Sequence, residues 1–147
     1  MSVIEEIEAE LAAADWRDIP AGWYAIPLVE DDLDDDDPNF CRVIGHKLFE
    51  RKTGRVMKNG RRRGKDYIKS SLVYDAQVGE DAMRAYVQRT GETRTVSAWD
   101  VIAIRDAPEV WGKAFAELTG RCCACNKVLT DPESKVAGKG PDCRGAR

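Results

Sequence analysis

The 147-residue sequence predicts an α+β fold in which a small antiparallel sheet has flanking helices and ends in a cysteine-containing knuckle. Apolar residues recur at helical spacing near the N-terminus and again after Gly79. Between these regions, runs of strand-forming residues are separated by turn dipeptides such as Asn59-Gly60. Four of the five cysteines lie after residue 121. We therefore expect a helix over 1–18, a sheet over 19–78, and a helical layer with the knuckle over 79–147.

The N-terminal helix is predicted over residues 2–14. Ser2 and Glu5 have the spacing of a capping box at its start. Four apolar residues then fall on one face: Ile4, Ile7, Leu11 and Ala14. Such a stripe is typical of a surface helix that packs on the core of its own chain or on a second copy of the chain.

The sheet is predicted from four segments, 22–29, 39–51, 55–57 and 66–74, which are rich in β-branched and aromatic residues. Pro27 indicates that the first segment is an edge strand or contains a bulge, and Gly45 is a candidate bulge in the second. We expect one hairpin turn at 52–54 and another at Asn59-Gly60. The result is three or four strands with a basic hairpin tip.

Charge is segregated along the chain. Residues 1–41 carry thirteen acidic side chains against Arg17 alone, whereas residues 42–69 carry eleven Lys or Arg against Glu50 and Asp66. Seven of the acids fall in residues 30–38, which we expect to form a solvated loop. The remainder balances, so the net charge of −3 conceals a strong asymmetry. This pattern indicates an electrostatic partner, or an interaction of the chain with itself.

Three helices are predicted after residue 79. The first covers 81–89 and stops at Gly91, and the second begins with the capping pair Ser97 and Asp100. A strand over 93–104 is the alternative for the second, because short apolar runs suit both structures. The third is predicted to start with Asp106 as its cap and Pro108 in its first turn, and to end at Gly120.

The cysteines after this helix predict a zinc site. Cys122 and Cys125 lie three residues apart, so a tight turn can direct both thiolates to one point. Cys143 can return to the same point after a capped turn at 130–134 and a Gly- and Pro-containing bend at 138–141. We therefore expect a structural zinc knuckle, with free thiols or an oxidation-sensitive pair as the alternatives.

The fourth zinc ligand is not set by spacing. A second Cys-x-x-Cys would close the tetrahedron, but that position is Ala146. The side chain of Cys123 is expected to pack rather than bind, because neighbouring side chains usually diverge. The candidates are Cys123, Asp131, Asp142, the C-terminal carboxylate of Arg147, Cys41 and His46.

The C-terminal motif is similar to a known family. It consists of Gly120-x-Cys122-x-x-Cys125, the run Leu129-Thr130-Asp131-Pro132-Glu133-Ser134, and Gly138-x-Gly140-Pro141-x-Cys143. It resembles a small uncharacterised cysteine-containing domain found near the C-termini of many actinobacteriophage proteins. The resemblance implies a phage or prophage origin and a compact metal-binding knuckle, with no established activity. The chain differs from that pattern at Asn126, where Gly is expected, and at Lys139, where an apolar residue is expected.

The basic hairpin is a candidate nucleic-acid interface. Guanidinium and ammonium groups contact phosphates, and an aromatic ring can stack on exposed bases. The candidate residues are Arg55, Lys58, Arg61, Arg62, Arg63, Lys65 and Tyr67, with Arg51 and Lys52 nearby and Phe49 or Trp23 as further rings. An acidic face of a partner protein, or a solvated hairpin that pairs with the acidic loop, are the alternatives.

Two functions fit these patterns. The first is a non-enzymatic phage accessory protein, stabilised by zinc, that binds DNA or RNA through the basic hairpin. The second is an interaction module that captures or inhibits a host protein, with the acidic N-terminal region as a DNA mimic. No general-base motif accompanies the cysteines, so we do not expect an enzyme. The sequence has no apolar run of membrane-spanning length and no signal-peptide pattern, so we expect the host cytoplasm.

Overall fold

The computed structural model describes residues 2–31, 41–74, 78–89, 96–140 and 143. In this part of the chain the main sheet has three antiparallel strands, β1 (Gly22–Asp31), β2 (Cys41–Lys52) and β5 (Tyr67–Tyr74), in the order β1-β2-β5. A second ribbon pairs β3 (Arg55–Val56) with β4 (Arg62–Arg63). The helices are α1 (Val3–Ala13), α2 (Gly79–Arg89), α3 (Ala98–Asp106), α4 (Pro108–Thr119) and α5 (Pro132–Ala137). The α+β prediction is confirmed.

Alternate residues of each strand point to opposite faces of the sheet. Both faces carry buried residues, because other elements pack on each of them. On one face, small and branched sheet residues pack against aromatic residues of α2 and α4, in a cluster that includes Ala25, Leu48, Val73, Tyr86 and Phe115. On the other face, α3 and the segment before β1 supply the partners, in a cluster that includes Ile19, Tyr24, Phe49, Val101 and Ile104. Helices on both faces therefore fix the sheet from which the basic hairpin extends, and α4, which leads into the knuckle, packs on one of these faces.

The strand pairing corrects one predicted turn. Residues 52–54 do not reverse the chain, since β2 continues into β3 and pairs with β5. The reversal lies at Asn59-Gly60, where the Gly60 N–H donates to the Met57 carbonyl at 2.9 Å. The chain from 41 to 74 is thus one long hairpin whose ladder is interrupted at 53–54 and 64–66. Residues 53–66, which we call the basic arm, extend from its end.

The bulge predicted near Pro27 and Gly45 is present. Leu28 lies opposite Gly45, but Val29 lies opposite Val43, so Ile44 is the extra residue. β1 is also an edge strand of the sheet. Proline is tolerated there because an edge strand has N–H groups that need no ladder partner.

The helix boundaries follow from their caps, with one exception. Ser97 Oγ accepts the Asp100 N–H at 3.2 Å and starts α3, so the alternative strand is wrong over the described residues 98–104. Asp106 is not the cap of α4. It is the last residue of α3 and binds Arg105 Nε at 3.0 Å, and Ala107 precedes α4 without a side-chain cap. Pro108 at the start of α4 has no N–H that would need a partner, which makes a cap less necessary.

The N-terminal helix is capped as predicted but is less buried than its stripe suggests. Ser2 Oγ accepts the Glu5 N–H at 3.3 Å. No residue of α1 is buried, and Ile4 remains 69% exposed. An ion pair between Glu10 and Arg105 at 3.3 Å ties α1 to α3. None of the helices in the described part of the chain combines the length and apolar character needed to cross a bilayer.

Two predictions about the fold fall on residues outside the described part. These are the acidic loop, apart from its first two residues in β1, and the helix stop at Gly91.

Candidate metal centre and basic arm

The knuckle begins where α4 ends at Gly120, whose φ of 71° is left-handed. The chain then forms a tight hairpin in which Arg121 pairs with Val128. The Cys122 N–H donates to the Lys127 carbonyl at 2.8 Å, and the Asn126 N–H donates to the Cys122 carbonyl at 2.9 Å. Asn126 has a φ of 65° and tolerates this conformation better than most residues other than Gly. Asn can therefore replace the expected Gly at this turn.

Three thiols converge in the knuckle. The sulfur atoms of Cys122, Cys125 and Cys143 all lie within 4.8 Å of one another. Cys122 is buried, Cys143 is half-buried and Cys125 is exposed. The hairpin supplies two of the sulfurs, and the third returns after α5. This group can hold a metal ion, because soft, convergent sulfur donors are what thiophilic metals bind.

The return of the chain to Cys143 is organised by α5. Asp131 caps this helix by accepting the Ser134 N–H at 3.0 Å, and Pro132 occupies its first turn. Gly138 ends it with a φ of 74° and accepts the Cys123 N–H at 3.1 Å. Below the hairpin, Leu129 packs with Cys122 and Ala116 of α4. The cap and the turn predicted from the sequence thus hold the two halves of the thiol group together.

The electrostatics of the thiol group favour a cation. Burial opposes ionisation of Cys122, but backbone N–H groups of Cys125, Gly140 and Ala124 outweigh it and lower its pKa to about 7. Burial and the neighbouring thiols raise the pKa of Cys143 to about 12. One thiolate is therefore stabilised while a further one is opposed. A bound cation would remove that opposition, because it offsets the repulsion between thiolates.

Cys123 is not part of the thiol group. It packs against the core cluster that contains Tyr86 and Phe115, and its sulfur lies 3.2 Å from the point where a Cβ on Gly112 would be. Its carbonyl accepts the Trp23 N–H at 2.7 Å, which joins the knuckle to β1. Burial raises the pKa of its thiol, so it is held in the neutral form that suits packing.

Two of the other proposed fourth ligands, Asp131 and His46, are not part of the thiol group that the described residues form. Asp131 caps α5, and His46 lies within β2. Cys41 is the first residue of β2. Asp142 and Arg147 lie outside the described residues.

A bidentate ion pair that the sequence did not reveal connects the knuckle to α2. Arg121 Nε and Nη2 donate to the two carboxylate oxygens of Glu80 at 3.1 and 2.9 Å. Arg121 Nη1 also donates to the Asn126 carbonyl at 2.9 Å. The guanidinium lowers the pKa of the Glu80 carboxyl. The partners are 41 residues apart, so no local pattern could have indicated this contact.

The basic arm presents its cations to solvent. Lys58, Arg61, Arg63 and Lys65 are exposed, and none forms an ion pair with a carboxylate in the part of the chain that the structure describes. Arg55 and Arg62 lie on opposite strands of the ribbon formed by β3 and β4. The backbone of Arg55 pairs with that of Arg63, and the backbone of Arg62 pairs with that of Val56. Arg51, by contrast, is only 5% exposed and lies over the Trp16 ring at 5.0 Å. Arg51 is therefore a packing residue rather than a phosphate contact.

The aromatic residues proposed for stacking differ in their exposure. Phe49 is fully buried, and Trp23 is enclosed by Tyr86 and Phe115 with ring centroids 5.6 and 5.4 Å away. Phe49 is therefore a core residue and its proposed role as a stacking ring is wrong, whereas Trp23 is partly buried and packs against the core. Tyr67 remains half-buried at the base of the arm. Its hydroxyl donates to Glu50 at 2.9 Å, and burial together with this carboxylate raises its pKa to about 12.

Comparison with known proteins shows that the knuckle is similar to one family. Residues 112–147 match the model of a family described as "Family of unknown function (DUF6011)". The match begins within α4, covers the knuckle and spans about a quarter of the chain. No curated protein and no solved structure matches the chain. The segment that carries the three convergent thiols is therefore similar to a family of unknown function.

Proposed function

We propose that this protein is a zinc-stabilised, non-catalytic nucleic-acid-binding protein of a phage that acts in the host cytoplasm. The observation that carries the binding role is the basic arm, whose four described and exposed cations have no acidic partner among the described residues. The phage assignment rests on the resemblance of the cysteine motif. The cytoplasmic assignment is supported by thiols that suit a metal site better than disulfides.

Zinc is the metal that the donor set favours. Zinc–thiolate bonds are about 2.3 Å long, so three sulfurs within 4.8 Å need only a small convergence to reach a shared ion. Sulfur-rich sites with this spacing in small hairpins are typically structural. We assign Cys122, Cys125 and Cys143 as ligands. Metal analysis of the purified protein should give one zinc per chain, and a metal-free folded sample would remove this part of the proposal.

The basic arm would act through phosphate contacts. Each neutralised phosphate contributes about −0.9 to the slope of log affinity against log salt for duplex DNA, and about −0.7 for single strands. Contacts from Lys58, Arg61, Arg63 and Lys65, joined by Arg55 and Arg62, predict a steep slope. The assay is fluorescence anisotropy of a labelled oligonucleotide titrated with protein at several salt concentrations.

Matched variants test whether the arm is responsible. Arg61→Ala should weaken binding and make the slope shallower by about 0.7 to 0.9. Lys135→Ala removes an exposed cation from α5, away from the arm, and should leave the slope unchanged. Binding that does not respond to salt, or an equal effect of both variants, would remove the nucleic-acid role.

A second candidate function is supported by α1. Ile4 is 69% and Ile7 is 39% exposed on a helix that carries four glutamates. An apolar stripe beside acidic residues suits a groove with a basic rim on a host protein. In this alternative the acidic region 1–41 imitates DNA and the arm is secondary. Ile4→Ser with Ile7→Ser should then abolish capture of the host protein, whereas loss of the arm cations should leave capture intact.

A further inference from the structure

A cleft of about 470 Å³ lies at the base of the basic arm. It is lined by Lys52, Thr53, Gly54, Arg63, Gly64, Lys65 and Tyr67. Its volume falls within the range of about 300–1,000 Å³ that is usual for small-ligand sites. All of its lining residues are described, and they include three cations and no carboxylate.

The cleft exists because the hairpin ladder is interrupted at this point. β2 ends at Lys52 opposite Tyr67, and the next paired residues are Arg55 and Arg63. Between them, the Gly54 N–H donates to Asp66 Oδ1 at 2.7 Å. A Cβ on Gly54 would lie 2.8 Å from the Gly64 carbonyl oxygen, so only glycine allows the two backbones to approach so closely. Gly54 and Gly64 add no side chains to the lining of the cleft, which leaves room for a ligand.

The aromatic wall of the cleft is held in place by two contacts. The Tyr67 hydroxyl donates to Glu50 Oε1 at 2.9 Å, which fixes the ring at its distal end. The Lys69 ammonium lies 4.9 Å from the ring centroid. A ring that is already immobilised loses little conformational freedom when a ligand packs on it. The cleft therefore offers a fixed aromatic surface beside three cations.

We propose that this cleft binds one nucleotide of a single-stranded nucleic acid, with its phosphate held by Lys52, Arg63 and Lys65 and its base packed against Tyr67. This inference rests on the proposed nucleic-acid role and names the class of ligand. A base within a duplex is stacked and paired, so it cannot enter a cleft of this size, whereas an unpaired base can. The protein should therefore prefer a single strand to the duplex of the same sequence.

The test compares two charge-matched double variants of the full chain by anisotropy. Lys52→Ala with Lys65→Ala removes two cations from the cleft, and Lys58→Ala with Arg61→Ala removes two from the arm outside it. All four side chains are exposed, so both variants should fold, which thermal unfolding checks. The probes are one labelled oligodeoxynucleotide and its duplex. The cleft variant should lose at least about tenfold more single-strand affinity than the arm variant, and its preference for single strands should disappear.

A ring test separates stacking from charge. Tyr67→Phe keeps the ring and should bind the single strand nearly as wild type, whereas Tyr67→Leu should bind about tenfold more weakly or worse. Equal losses in the two double variants, with no preference for single strands, would overturn the cleft inference while the arm remains a nucleic-acid interface. Absence of binding to either probe would overturn the proposed function itself.

Discussion

Replacing each of the two adjacent cysteines in turn provides a sharp test of the metal centre. Cys122→Ala and Cys123→Ala make the same chemical change at neighbouring positions, but only Cys122 belongs to the thiol group. Neither side chain is fully exposed, since Cys122 is buried and Cys123 is half-buried. The two variants should therefore differ in metal content far more than in lost packing.

The expected magnitudes follow from ligand linkage and burial. A ligand at about 1,000 times its dissociation constant stabilises the folded state by about 4 kcal/mol, which Cys122→Ala would forfeit. Loss of one buried sulfur adds about 1 kcal/mol in either variant. At about 2–4 °C per kcal/mol for a chain of this size, we expect Tm to fall by about 10–20 °C for Cys122→Ala and about 2–4 °C for Cys123→Ala.

The assay combines elemental analysis with thermal unfolding in the presence and absence of a chelator. Wild type and Cys123→Ala should retain metal and lose stability when the chelator is added. Cys122→Ala should lack metal, and its Tm should not change when the chelator is added. Full metal content in Cys122→Ala, or loss of metal from Cys123→Ala, would refute the assignment of these two side chains.

Four further changes test the supports of the knuckle and the sheet. Gly120→Ala places a side chain in open space at a left-handed φ, so urea unfolding should show a loss of about 1–2 kcal/mol from backbone strain alone. Gly138→Ala should be more destabilising, because its Cβ would lie 3.3 Å from atoms of α4; equal losses would contradict this reasoning. Glu80→Gln should destabilise the protein at pH 7, and the difference from wild type should narrow as the pH falls below 4.5 toward the lowered pKa of Glu80 in the folded state. Burial lowers the pKa of His46, so below pH 6.5 the unfolded chain binds a proton that the folded chain does not. The free energy of unfolding should therefore decrease as the pH is lowered below 6.5. Urea unfolding at successive pH values should show a smaller decrease for His46→Gln than for wild type. The same pH dependence in both proteins would show that His46 is not its source.

Local signals in the sequence were reliable where one residue determines the backbone. Ser2 and Ser97 cap their helices, and Gly120 ends α4. These features depend on contacts within about four residues, which a linear pattern records. The spacing of Cys122 and Cys125 likewise determined that two sulfurs would point the same way.

Signals failed where tertiary pairing decides the outcome. Lys52-Thr53-Gly54 has the composition of a turn, but β2 finds its partner in β5 and the chain continues into the arm. Phe49 looked available for stacking, yet residues of α3 and of the segment before β1 cover it. Arg51 was grouped with the nearby cations in the sequence, but in the fold its guanidinium lies over the Trp16 ring. Periodicity does not reveal which face a distant helix will cover, so these assignments required the fold.

The glycine at position 112 has a consequence for where the knuckle can be carried. Its missing side chain leaves the space that the Cys123 sulfur occupies, so the helix and the thiol hairpin fit one another as a matched pair. The region shared with the family of unknown function also starts at this residue. A transplant of the hairpin onto another protein should therefore include the second half of α4, since a Cβ at that point of a recipient helix would lie 3.2 Å from the Cys123 sulfur and one of the two would have to shift.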